Sequence, residues 1–201
     1  MGGNFAKWGT EFKSENPIHV ILFRSRNKDN KDLEGFKERR EAFITNHDYT
    51  DERIVNRFNN FVDAGVDGEI CREYVSVNER DPKIIYKELL HFLIDEPEFN
   101  LCSIDAKLAS IAAKKECAKT KHWMFDFDSL DEDKLKEFEY DILNNGSALI
   151  EHLERHRTPN GYAIVVSNGF DTRELLAKWG DIVSLKKDDL LCVGWVTTTS
   201  I

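Results

Sequence analysis

Asp126 and Asp128 are the residues whose type and spacing first suggest chemistry. They alternate with aromatic residues in the run Trp123-Met124-Phe125-Asp126-Phe127-Asp128, and Ser129-Leu130-Asp131-Glu132 follows at once. In a strand, residues two apart project from one face. Both carboxylates then point together, beside His122 and Met124, while Trp123, Phe125 and Phe127 fill a core behind them. Two like charges held that close cost about 1 kcal/mol near a solvated surface, and more away from water. A hard divalent cation offsets that repulsion. Mg2+ or Mn2+ takes oxygen ligands and is commonly held by one or two carboxylates plus substrate phosphates. The plainer alternative is solvated helix entry or a salt bridge. Ser129 with Glu132 fits a capping box, and Asp131 and Asp133 fall in a first helical turn, where carboxylates favour the helix dipole. Those residues need no function, but neither role reaches back to Asp126 and Asp128.

Basic groups form the second constellation. Arg24 and Arg26 share one face of the apolar run from Pro17 to Arg26, and Arg72, Tyr74, Ser76 and Asn78 share one face of a second run. Cationic and amide groups on two strand faces make a platform for phosphate or base, with Tyr74 beside Arg72 as a stacking candidate. An exposed antiparallel face carries the same residue types simply because it meets water. His152 and His156 stand four apart and would share a helix face, yet no third metal ligand accompanies them. The chain lacks GxxxxGK[ST], GxGxxG after a strand, GxSxG and HExxH, which disfavours P-loop, Rossmann, α/β-hydrolase and zincin chemistry.

These side chains need strands and helices to position them. Pro17 to Arg26 reads as a strand with His19, Ile21, Phe23 and Ser25 on one face and Val20, Leu22, Arg24 and Arg26 on the other. Lys31 to Ile44 reads as a helix, with Leu33, Phe36, Arg40 and Phe43 recurring at helical spacing. A helix capped by Thr50 runs to Gly65, and a strand with Cys71, Val75 and Val77 on one face follows. Asp81 and Pro82 open a strong helix, and Ser103 to Thr120 is another. After the strand bearing Asp126, a helix stops at Gly146, residues 147–156 fit helix or strand, and Gly161 to Asn168 is a strand. A short helix ends at Gly180, and two strands around the turn Lys186-Lys187-Asp188-Asp189 close the chain. The pattern is an α+β fold with a mixed, mostly antiparallel sheet and helices packed on one face. Strands Trp123–Asp128, Gly161–Asn168 and Leu190–Val196 are expected in one sheet, with Arg24 and Arg72 lining one cleft with Asp126.

The chain of 201 residues suits a single domain, with an N-terminal part over 1–119 and a compact core over 120–201. No apolar run approaches the roughly 20 residues that span a bilayer, and the N-terminus lacks a basic region followed by an apolar block. A cytoplasmic protein is expected. Cys71, Cys102, Cys117 and Cys192 form no CxxC pair and read as reduced thiols. The net charge of −9 argues against coating duplex nucleic acid by charge alone. It is compatible with holding one nucleotide through a cation.

The hydrophobic-Asp-hydrophobic-Asp strand, the helix after it, and Thr158-Pro159-Asn160-Gly161-Tyr162 leading into a second strand resemble the core of archaeo-eukaryotic primase-like (prim-pol) proteins, and also small bacteriophage proteins of the same strand order. The resemblance spans Lys121 to Val196. It implies that Asp126 and Asp128 hold a catalytic divalent metal, Mg2+ or Mn2+, with Asp181 as a third acid opening the last acidic strand. It places Thr158, Asn160 and Gly161 in the turn before a phosphate-gripping strand. If the site is catalytic, the basic residues Arg24, Arg26, Arg72 and Lys187 are expected to neutralise phosphate. Ala163 stands where the family has a histidine, which removes an imidazole expected on a triphosphate. Two functions follow as expectations. One is metal-dependent nucleotidyl or phosphoryl transfer on a nucleotide or single-stranded nucleic acid in a phage-infected cell. The other is non-enzymatic binding that sequesters a nucleotide or blocks a host protein.

Overall fold

The computed structural model describes residues 17–146 and 150–199. Among them, eight strands and six helices build two antiparallel four-stranded sheets in an α+β fold. Sheet 1 has the order β2-β1-β3-β8, from β1 (His19–Ser25), β2 (Arg39–Thr45), β3 (Ile70–Ser76) and β8 (Leu190–Thr197). Sheet 2 has the order β5-β6-β4-β7, from β4 (Trp123–Phe127), β5 (Leu153–Arg157), β6 (Tyr162–Val166) and β7 (Val183–Lys186). The expectation of one sheet is therefore corrected. β4 and β6 do pair, but Leu190–Thr197 joins β3 in the other sheet. The apolar, charge-free run of β8 is equally suited to either sheet, and it pairs with β3 from Ser76↔Leu190 to Ile70↔Thr197.

Alternation fixes which face each residue serves. In sheet 1, Ile21, Phe23, Phe43, Val75 and Leu191 form one apolar face. Helix α2 (Glu52–Asp63) lays Phe58 and Phe61 on it, with ring centroids 5.1 and 5.8 Å from Phe23. The same core takes Met124, Ala163 and Val165 from the inner face of sheet 2, so the two sheets meet there. The outer face of sheet 2 packs Phe125, Phe127 and Ile164 against Leu135, Phe138 and Ile142 of α5 (Glu132–Gly146) and Leu175 and Trp179 of α6 (Arg173–Trp179). On the far face of sheet 1, α3 (Pro82–Asp95) and α4 (Ile104–Ala112) cover Val20, Ala42, Ile44 and Leu190, all at one end of the strands. The other end carries Arg24, Arg40 and the buried Arg72, and among the described residues no helix of comparable length covers it.

A buried polar hub joins the sheets. The Asn78 amide donates to the His122 carbonyl (3.1 Å) and to Asp188 (3.1 Å), and accepts from the His122 amide (2.7 Å) and the Thr120 hydroxyl (2.9 Å). Arg80, 2% exposed, grips Asp188 through two bonds of 2.9 Å. This fixes the turn between β7 and β8 and hence the crossing of the chain from sheet 2 to sheet 1.

Several local expectations are corrected. Lys31 to Ile44 is not a helix. Gly35 adopts φ +74°, which breaks any helical run, and the alternation of Arg39, Glu41 and Phe43 pairs Arg39–Thr45 with β1. Asp51 caps α2 in place of Thr50, whose amide and hydroxyl both bond Asp48. Asp131 caps α5 by accepting from the Asp133 and Lys134 amides, while Ser129, two residues earlier, accepts from the Asp131 amide. The helix expected over Ser103 to Thr120 ends at Ala112. Residues 147–149 of the ambiguous segment lie outside the described residues; its later part is strand β5. His152 and His156 thus do not share a helix face.

Candidate functional site

The aspartate pair sits at the end of β4. Asp126 lies opposite Ala163 and Ser184 on the inner face of sheet 2 and is half-buried. Asp128 is exposed just beyond the strand, where its amide donates to the Ile182 carbonyl (2.8 Å). Burial, and then the charge of Asp128, push the Asp126 pKa up, against the pull of Lys186 and Lys28; Asp189 adds to the push. Asp181 is exposed in the turn ahead of β7, which begins two residues later, at Val183. Among the described residues no group of three or more His, Cys, Asp or Glu side chains could hold a metal.

The turn through Thr158, Asn160 and Gly161 packs directly on this end of β4. A Cβ on Gly161 would stand 1.9 Å from the Phe127 carbonyl oxygen and 2.9 Å from the Ser129 nitrogen. The Thr158 amide donates to the Gly161 carbonyl (3.0 Å), and the Arg157 guanidinium donates to the carbonyls of Thr158 and Gly161. The backbone of this turn is thereby tied to itself and to β4, which accounts for its glycine without a ligand.

The arginines are elsewhere, which corrects the expectation of one shared cleft. Arg24 and Arg72 alternate with Phe23 and Glu73, and so project from the face of sheet 1 that looks away from sheet 2. There the register builds a row. Arg24 lies directly opposite Arg40 on one side and Arg72 on the other, and Arg72 lies opposite Trp195. Neighbouring strands are about 4.8 Å apart, so the three guanidinium stems start within about 10 Å of sheet surface. Like charges directly opposite one another are destabilising by roughly 0.2–1 kcal/mol a pair.

Two acids hold the row in place. Glu38 takes Arg24 at 2.8 Å. Asp29, in the single turn α1 (Asn27–Asn30), takes Arg26 at 2.8 Å and Arg72 at 2.6 Å. Burial raises the Asp29 pKa, and the hydrogen bonds and charges of Arg26 and Arg72 more than reverse this, leaving it below the ordinary value. The turn is itself pinned, because Asn30 bonds the Ser25 hydroxyl (3.0 Å) and both backbone groups of Ile70. Arg40 is exposed and has no carboxylate partner among the described residues. Tyr74 stands half-buried in the next row, its hydroxyl pKa raised by burial and then by Cys192. Lys187 does not belong to this face; it lies 4.6 Å over the Trp123 ring.

Sequence reasoning missed Arg40 and Trp195. The signal for Arg40 was the alternation in Arg39–Thr45, masked by an equally good helical spacing. Trp195 had no signal, since its face depends on an irregularity in β8. No protein-family model matches the chain, and neither does any curated protein or solved structure.

Proposed function

We propose that the protein binds a phosphate-bearing ligand, a nucleotide or nucleic acid, on the arginine-bearing half of sheet 1, without chemistry at that face. The observation that carries the reading is the cross-strand row Arg40–Arg24–Arg72. Glu38 and Asp29 offset part of the repulsion among these three cations, and anionic oxygens would relieve what remains at Arg40, which has no carboxylate partner among the described residues. Arginine meets phosphate with paired, charge-assisted hydrogen bonds. Arg24, Arg26 and Arg72 are already oriented by Glu38 and Asp29, while Arg40 is open to the ligand. The chain carries a net charge of −9, so the remaining surface repels a polyanion and leaves this face as the favoured approach. Binding of a labelled oligonucleotide, measured by fluorescence anisotropy, tests the reading. Arg40→Ala and Arg24→Ala should each weaken binding, and Arg40→Ala should lower the salt dependence by about 0.7 in log–log slope for a single strand. Unchanged binding in both variants would remove the proposal.

A second reading rests on a different observation: two alternating carboxylates beside a turn packed on their strand. In the prim-pol-like reading, Asp126 and Asp128 would hold Mg2+ or Mn2+. Lys28 and Lys186 are the cations within electrostatic range of Asp126, so they rather than Arg24 or Arg72 would face a phosphate there. Thermal unfolding with and without Mg2+ separates this reading. It requires a metal-dependent rise in Tm that Asp126→Asn with Asp128→Asn abolishes.

A further inference from the structure

The arginine row ends on a tryptophan, and the backbone goes out of its way to put it there. From Ser76↔Leu190 through Val75↔Leu191 to Tyr74↔Cys192, β3 and β8 pair residue for residue. Continued unchanged, that register would set Gly194 opposite Arg72 and Trp195 opposite Cys71, on the buried face. Instead the register shifts between Glu73 and Tyr74, so that Gly194 meets Glu73 and Trp195 meets Arg72. Val193 is the extra residue, and it is buried in the core shared by the two sheets. Because side chains alternate, one inserted residue moves every later side chain of β8 to the opposite face. The bulge therefore takes the largest side chain of the strand out of the core and sets it beside the guanidinium groups.

The energetic direction of that choice is informative. Full burial of a large apolar side chain is worth about 1.5–3 kcal/mol, and a bulge also leaves a ladder position unpaired. Trp195 stays half-buried, and among the described residues no aromatic ring or cation stacks on it. Tyr74, one row along, is half-buried on the same face. An aromatic plane next to a row of phosphate-binding cations suits a base whose own face is free. In a duplex both faces of each interior base are already stacked, and inorganic polyphosphate has no base at all.

We infer that the ligand of this face is a single-stranded nucleic acid, with Arg40 and Arg24 on its phosphates, the buried Arg72 adding its charge from beneath, and Trp195 stacking one of its bases. This rests on the phosphate-binding reading above and narrows it. The test compares a short labelled single strand, the same sequence as a duplex, and inorganic polyphosphate as competitor. The single strand should bind most tightly. Trp195→Ala should weaken it by roughly 5- to 150-fold, the range for losing one base stack, and Trp195→Phe should restore most of the loss. Wild-type fluorescence should be quenched on titration, and that quenching should vanish in Trp195→Phe although Trp8, Trp123 and Trp179 remain. Circular dichroism and Tm confirm that each variant is folded. If Arg40→Ala weakens binding while Trp195→Ala does not, or if duplex and polyphosphate compete as well as the single strand, the stacking inference fails and the phosphate reading stands. If Arg40→Ala and Arg24→Ala are also without effect, both fail.

Discussion

Glu73 gives the sharpest test of the packing between the sheets. It is 1% exposed, opposite Phe23 and Gly194, and its Oε1 has no hydrogen-bond partner. Burial alone pushes its pKa from 4.5 to about 8. The unfolded chain releases this proton near 4.5 and the folded chain near 8, so ionisation increasingly favours the unfolded state between those values. Stability from this group therefore falls as pH rises from about 4.5 and levels off above about 8. At about 1.4 kcal/mol per pKa unit, the loss is about 3 kcal/mol at pH 7 and at most about 5 kcal/mol at higher pH. Glu73→Gln keeps the shape and removes the titration. Urea unfolding of both proteins across pH should give a difference under about 1 kcal/mol at pH 5, growing to about 3 kcal/mol in favour of the variant at pH 7. His19 and His122, both pushed below 6.5 by burial, act in the opposite sense. Their contribution is present above 6.5 and is lost as pH falls through their folded values, and it cancels in the comparison. A difference that stays flat across this range, or grows toward acid, would refute the assignment of Glu73 as a buried neutral carboxyl.

Three further outcomes follow from the contacts. Gly161→Ala forces a Cβ against the Phe127 carbonyl and should cost about 3 kcal/mol or more in chemical unfolding, since backbone on both sides must shift. Arg80→Met leaves Asp188 uncompensated at a nearly dry site and should cost about 3–5 kcal/mol, much of it recovered by adding Asp188→Leu. Asp126→Asn removes the repulsion from Asp128 at a half-exposed site, so metal-free stability should stay level or rise by less than about 1 kcal/mol.

The residues show what was legible in the sequence and why the rest was not. β1, β3, β4 and β6 were readable because a β-branched or aromatic alternation marks each one, and Asp81-Pro82 announced α3. Arg39–Thr45 was misread because Phe36, Arg40 and Phe43 satisfy a helical period as well as Arg39, Glu41 and Phe43 satisfy a strand; only pairing with β1 settles it. The sheet that β8 joins is a long-range choice, made by the hub of Asn78, Arg80 and Asp188, whose partners are 108–110 residues apart. The alternation that put Asp126 and Asp128 on one side was plain, and so was the shared face of Arg24 and Arg26. Their relation to each other was not, because it depends on which face of sheet 1 meets sheet 2. Trp195 was hidden for a sharper reason: a single bulged residue, Val193, reverses the face of everything after it.

The proposed ligand face is the arginine-bearing half of sheet 1, not the space between the sheets. An NMR titration with a short single-stranded oligonucleotide, with and without Mg2+, tests this most directly. It should follow the backbone amides, the arginine Nε–H groups and the tryptophan indole N–H groups. Shifts should appear at Arg24, Arg40, Arg72, Tyr74 and Trp195, and should do so without Mg2+. Shifts that instead gather at Asp126, Asp128 and Gly161 and require Mg2+ would rule this face out.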